Sequence, residues 1–166
     1  MNEILSSYVK GLQQCLGELC EQEIEGIADI IYDAYGKNRQ VFILGNGGSA
    51  TTASHFACDL GKGTANEGKP RLRAISLTDN MAFVTALAND VDYGSIFREQ
   101  LANLLNEGDV VIGISASGNS PNVLRAIEFA RQKGATAIGF AGFGGGKLKE
   151  LADKCIVLSA RDYGQS

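Results

Sequence analysis

Val41-Phe42-Ile43-Leu44-Gly45-Asn46-Gly47-Gly48-Ser49-Ala50 starts as an unbroken apolar run, turns through glycines and continues into helical spacing. Four apolar residues with no polar alternation read as a strand buried on both faces. The pattern recurs downstream. Leu72 to Leu77, Val110 to Ile114, Ala137 to Ala141 and Cys155 to Leu158 are further apolar runs, and helix candidates lie near 49–60, 79–88, 93–106, 119–133 and 145–152. Repeated strand–helix units predict a parallel sheet with right-handed crossovers and helices on both faces, a three-layer α/β fold. In such sheets ligands sit beyond the carboxyl ends of the strands.

Upstream of this stretch, Ile4, Tyr8, Leu12, Leu16 and Leu19, then Ile24, Ile27, Ile30 and Ile31, recur at helical spacing. They predict two helices within 3–36, divided near 17–22, with Gly36 supplying a left-handed end to the second. These helices hold more apolar positions than one sheet face needs, which predicts self-association through them.

The chain has 166 residues, 45% hydrophobic and 20% charged, with two prolines. No repeat is evident, so one domain over 1–166 is expected, a helical pair at 1–36 and a βα core at 37–166. A net charge of -4 argues against nucleic-acid or anionic-membrane partners, so any anion must be held locally. MNEILSSYVK carries Glu3 and no apolar core of a signal peptide, and no stretch is apolar enough to span a membrane. Four cysteines without CxxC spacing fit a cytoplasmic location.

Two strand-to-helix loops share a chemistry: Gly45 to Ala50, and Ser115-Ala116-Ser117-Gly118-Asn119-Ser120-Pro121. Glycine lets a ligand approach the backbone, Ser hydroxyls and N–H groups donate, and the next helix adds its positive end. Gly and Ser also make ordinary turns, but two such loops on neighbouring strands favour a phosphate cradle. Pro121 at the first helical position marks Ser120 as the N-cap. Gly45-x-Gly47-x-x-Ala50 fits a loose dinucleotide fingerprint, yet the next strand lacks the acidic residue that motif wants. A phosphate monoester is the better ligand, with no nucleotide cofactor.

His55 and Asp59 lie four apart on the helix leaving the first loop. They read as an acid/base pair, as two ligands of a divalent metal, or as an ordinary helix-face pair. Cys58 reads as a core filler. Asn89-Asp90 reads as an Asx turn or as a clamp for sugar hydroxyls. Gly142-Phe143-Gly144-Gly145-Gly146-Lys147 reads as a plain connection.

Gly45-Asn46-Gly47-Gly48-Ser49, His55-Phe56-Ala57, Ala88-Asn89-Asp90, Gly108-Asp109-Val110 and Gly113 to Ser120, in that order, resemble the SIS (sugar isomerase) domain family, within it the phosphoheptose isomerases. The resemblance implies a flavodoxin-like, five-stranded parallel sheet and a homotetramer, or a dimer, with sites at subunit interfaces. It also implies an enzyme interconverting sedoheptulose 7-phosphate and heptose 7-phosphate for bacterial surface heptose, in lipopolysaccharide or capsule. By motif, Ser115, Ala116, Ser117 and Ser120 hold the phosphate, and Asn46, Gly47, Gly48, Ser49, Asn89 and Asp90 line the sugar. His55 becomes a ligand of zinc or another divalent metal, and Asp59 ligand, substrate contact and catalytic base for an enediol proton transfer.

The chain departs from the family in three places. Asp59 stands where Glu is usual, Ala116 where Thr is common, and the family's C-terminal helix with its Gln and His does not follow Tyr163-Gly164-Gln165-Ser166, which leaves the expected metal set incomplete. The alternative implied class is a non-catalytic, DiaA-like SIS protein that binds a sugar phosphate or a protein partner.

Overall fold

The computed structural model describes residues 3–160 and 162–164. Helices α1 (Glu3–Gly17) and α2 (Glu21–Gly36) precede β1 (Gln40–Gly45) and α3 (Gly48–Cys58), which runs into a π-helical turn, Asp59–Gly63. Then come β2 (Arg73–Ser76), α4 (Met81–Asp90), a 3-10 turn (Tyr93–Ser95), α5 (Ile96–Leu104), β3 (Val110–Ser115), α6 (Pro121–Gln132), β4 (Thr136–Ala141), α7 (Gly146–Leu151) and β5 (Lys154–Val157).

The strands form one five-stranded sheet in the order β2-β1-β3-β4-β5, all parallel. The chain leaves β1 for β2 on one side and returns to β3 on the other, so the strand order reverses between β1 and β3. A crevice opens at such a switch point. Gly45 pairs with Ile114 there, which sets the loops after β1 and β3 side by side.

One face of the sheet is packed by α5, α6 and α7 around Phe42, Leu44, Phe97, Leu101, Ile127 and Leu148. The other is packed by α2 and α3 around Ile27, Ile31, Val41, Ile43, Ala53 and Ile112. Every residue of β1 is buried, which is why its sequence shows no alternation. Strand β2 is shorter than the predicted Leu72–Leu77, and both Arg73 and Ile75 are exposed because it is an edge. In α1 only Cys15 is buried, so that helix covers no sheet face.

Several predicted element ends move. Gly36 remains helical, and the left-handed residue after α2 is Asn38 at φ 54°. Helix α4 continues through Asp90, so Asn89 and Asp90 occupy its last turn instead of a turn after it. Cys58 is exposed, correcting its reading as a core filler, because it stands at the end of α3 in an open hollow beside the edge strand β2, which no further strand covers. Among the described residues no helix is long and apolar enough to cross a membrane.

Candidate functional site: an anion cradle at the strand switch

The loop after β3 is anchored by the chain's own contacts. Gly118 adopts φ +64°, and a Cβ there would lie 1.9 Å from the Gly145 carbonyl oxygen, so no larger residue fits the approach. Gly142 N donates to the Ala116 carbonyl at 2.9 Å, and Leu148 N to that of Gly118 at 2.9 Å. Lys147 N donates to Asn119 Oδ1 at 3.2 Å. The Gly142–Lys147 connection is therefore the platform on which the Ser loop rests.

On that platform Ser115 is buried, with its Oγ 3.1 Å from Ser120 Oγ. Ser120 is the N-cap of α6 and Pro121 opens the helix, but the Ser120 hydroxyl caps no backbone N–H. Ser117 Oγ accepts from Asn119 N at 3.2 Å. Hydroxyls and a helix N-terminus thus converge on one loop, the chemistry an anionic oxygen needs.

Across the crevice, Gly47 takes φ +54° as the N-cap of α3, turning the chain sharply enough for Gly48 and Ser49 to open the helix. A cleft of ≈ 710 Å³ lies between the loops, lined by Asn46, Gly48, Ser49, Thr52, Ile114 and Ala116, with Leu19, Ile24, Ile156 and Leu158 on its apolar side. That volume suits a small phosphorylated metabolite.

Asn46 belongs to a network that sequence reasoning missed. Its Nδ2 donates to Asn122 Oδ1 at 2.9 Å, Asn122 Nδ2 donates to its Oδ1 at 2.8 Å, and Tyr93 Oη donates to the same Oδ1 at 3.0 Å. Asn122 is almost fully buried in the first turn of α6. The signal available was an Asn immediately after Ser120-Pro121, where an amide can reach the neighbouring loop. Arg125, one turn on, donates to Asp92 Oδ1 at 2.8 Å and to Ser95 Oγ at 3.2 Å, clamping the Tyr93 turn to α6. The hydrogen bond from Ser95, with Arg125 beside it, holds the Asp92 carboxyl below the usual carboxylate range.

His55 and Asp59 face each other at 3.3 Å, with side chains 79% and 63% exposed. They stand on the flank of α3 beyond Thr52, and neither lines the cradle cleft. Asn89 Nδ2 donates to Asp90 Oδ1 at 2.7 Å at the exposed end of α4, likewise outside that cleft. The structure therefore brings together Asn46, Gly48, Ser49 and Ala116 around one cleft, and Ser115 with Ser120 beside it.

Among the described residues no group of three or more His, Cys, Asp or Glu side chains could hold a metal ion. His55 and Asp59 supply two donors, fewer than the three or four protein ligands of a stable zinc site. The described residues do not by themselves fit a tightly bound divalent metal.

A doubly packed parallel sheet with two Gly/Ser loops at its switch point is the arrangement of a SIS domain, and the SIS domain family model matches residues 7–142. The chain belongs to that family. Within it, the chain is 40% identical over 158 residues to the phosphoheptose isomerase of Geotalea uraniireducens (strain Rf4), covering 95% of this chain and 82% of that one. It is 44% identical over 135 residues to a probable phosphoheptose isomerase of Thermoplasma acidophilum, covering 81% and 74%. The solved phosphoheptose isomerase of Francisella tularensis superimposes with a TM-score of 0.90 at 28% identity, over 99% of this chain and 86% of that one.

Proposed function

We propose that the chain is an aldose–ketose isomerase of phosphorylated sugars, interconverting sedoheptulose 7-phosphate and heptose 7-phosphate for surface heptose. The observation that carries this reading is that the loops after the paired strands β1 and β3 line one cleft, through Asn46, Gly48 and Ser49 on one side and Ala116 on the other, with the Ser115–Ser120 pair next to Ala116 at the head of α6. The family's phosphoheptose isomerases supply the substrate class.

In this reading Ser115, Ser117, Ser120 and the backbone N–H groups around Ala116 take the phosphate. Asn46, Gly47, Gly48 and Ser49 hold the sugar; Asn89 and Asp90, which lie outside this cleft, are assigned to it on the family resemblance alone. Asp59 removes a proton from C1 of the ketose as the C2 carbonyl oxygen takes up a proton to give the enediol; the O1 hydroxyl then gives up its proton, C1 becomes the carbonyl, and Asp59 returns its proton to C2, with water carrying the proton from O1 to O2. Asp59 lies seven residues beyond Thr52, about 10 Å further along the helix axis. A general base also works best out of bulk water.

A sugar chain extended along α3 from the cleft spans that distance, and a second copy closing over α3 takes Asp59 out of bulk water. Helix α1 exposes Leu5, Val9 and Leu16. A second cleft of ≈ 630 Å³, lined by Ile27, Tyr32, Phe56, Leu60 and Phe140, adjoins the first through Ile24 and Ile156. A homotetramer built over this face encloses Asp59, and free cysteines fit a reducing, cytoplasmic setting. The exposure of Asp59 is also what favours the second reading, a SIS protein that binds a sugar phosphate without turning it over. Turnover of sedoheptulose 7-phosphate, with and without added divalent metal, separates the two: product formation supports the isomerase, and saturable binding without product supports the sensor.

A further inference from the structure

Asn46 reaches the cradle cleft as a carboxamide, which can turn either its oxygen or its nitrogen to a ligand. Its surroundings leave it no such choice. Val123 N donates to Asn122 Oδ1 at 3.0 Å, and a backbone N–H can only donate, so that atom of Asn122 is its oxygen and the other is its nitrogen. Asn122 Nδ2 then faces Asn46 at 2.8 Å and must meet an acceptor, which makes that atom Asn46 Oδ1. Tyr93 Oη donates to the same oxygen at 3.0 Å. Both lone pairs of Asn46 Oδ1 are thereby taken, while Asn46 Nδ2 uses one hydrogen on Asn122 Oδ1 at 2.9 Å and keeps the other.

We propose that Asn122 and Tyr93 are positioning residues that lock the Asn46 carboxamide oxygen-inward, so that Asn46 offers the ligand an N–H donor and no acceptor. The inference rests on the reading of Asn46 as a sugar contact and deepens it. A single fixed donor selects a ligand oxygen at that position, a hydroxyl or carbonyl, and disfavours an ammonium group, whose hydrogens would find no acceptor on Asn46. The lock is held from one helix: Asn122 sits in the first turn of α6, and Arg125, through Asp92 and Ser95, fixes the turn that carries Tyr93. The space for this clamp exists because residue 94 is Gly, where a Cβ would lie 2.6 Å from Arg125 Nη1.

Tyr93→Phe tests the lock with little risk to folding, since Tyr93 is 55% exposed and the ring is kept. The expected result is a rise in KM for sedoheptulose 7-phosphate of roughly 3- to 10-fold, the worth of one neutral hydrogen bond, with kcat and inhibition by inorganic phosphate unchanged. In an Asn46→Ala background the same substitution should have no further effect, because Tyr93 acts through Asn46. Asn122→Asp keeps the acceptor for Val123 N but puts an oxygen against Asn46 Oδ1, so the amide pair repels at one end and no longer fixes Asn46, and KM should rise further. An unchanged KM in Tyr93→Phe, when Asn46→Ala raises it, overturns the inference alone. So does a Tyr93→Phe effect that persists in full on Asn46→Ala. Unchanged kinetics in Asn46→Ala overturn the reading of Asn46 as a sugar contact and the inference with it.

Discussion

Ser117 and Ser120 present hydroxyls where a phosphate oxygen would meet the start of α6, and charge-assisted hydrogen bonds from such groups are the strong ones. Ser117→Ala is expected to weaken sugar-phosphate binding by about 1–3 kcal/mol, measured by calorimetry. Unchanged affinity would remove Ser117 from the cradle. Asp59→Asn keeps the shape of the side chain and deletes its proton acceptor, so turnover should fall by at least the ~10²-fold typical of general-base loss while phosphate binding survives. Steady-state rates alongside calorimetry make the distinction, and full activity in the variant would dismiss Asp59 as the base. At this scale the turns of both loops were legible, Ser120 before Pro121 at the head of α6 and the glycines that open α3, because their chemistry is local to the motif. Asn122 and Tyr93 were not, since their meaning comes from a contact with Asn46 across 76 and 47 positions of chain. Cys58 was misread for a related reason: an apolar-looking residue on a helix carries no mark of where the sheet will end.

The element that fixes the cradle is the turn between β3 and α6, which is held by its contact with the Gly142–Lys147 connection. Gly118→Ala forces a side chain onto both a left-handed backbone and the Gly145 carbonyl, and should cost about 2 kcal/mol or more of stability in urea unfolding. A variant with wild-type stability would mean that the two loops are not packed as described. On β5, burial against the α7 side pushes the Cys155 thiol up to about 11, so at pH 8 it should resist alkylation until the chain unfolds, with mass spectrometry of the labelled cysteines as the readout. The Tyr93 turn has the opposite dependence. The Asp92 carboxyl is depressed when folded, so its contribution is complete above the ordinary carboxylate pKa and is lost as pH falls through the lowered value. The buried central strands were plain in the sequence because burial on both faces leaves unbroken apolar runs. The edge strands and helix ends were less so, since Arg73 and Ile75 on β2 answer to solvent as well as to the core, and the π turn after Cys58 has no composition of its own.

Across the whole molecule, one sheet face is closed by α5, α6 and α7, while the other leaves α1 outside the core and an apolar cleft beside α2 and α3. The chain is therefore expected to self-associate, and light scattering at micromolar concentration should give a multiple of the 17.5 kDa protomer mass. A monomer would leave Asp59 in open solvent and favour the sugar-phosphate-binding protein over the enzyme. The three-layer architecture could be read from the spacing of apolar runs. The separation of His55 and Asp59 from the cradle could not, because a shared helix places residues on one face without saying how far along it the ligand extends. The most direct test of the account is incubation with sedoheptulose 7-phosphate in D₂O followed by NMR. Proton transfer through an enediol predicts an aldoheptose 7-phosphate carrying deuterium at C2, formed by the wild-type chain and suppressed in Asp59→Asn. A ketose that stays unconverted and unexchanged, under conditions where it binds, would contradict it.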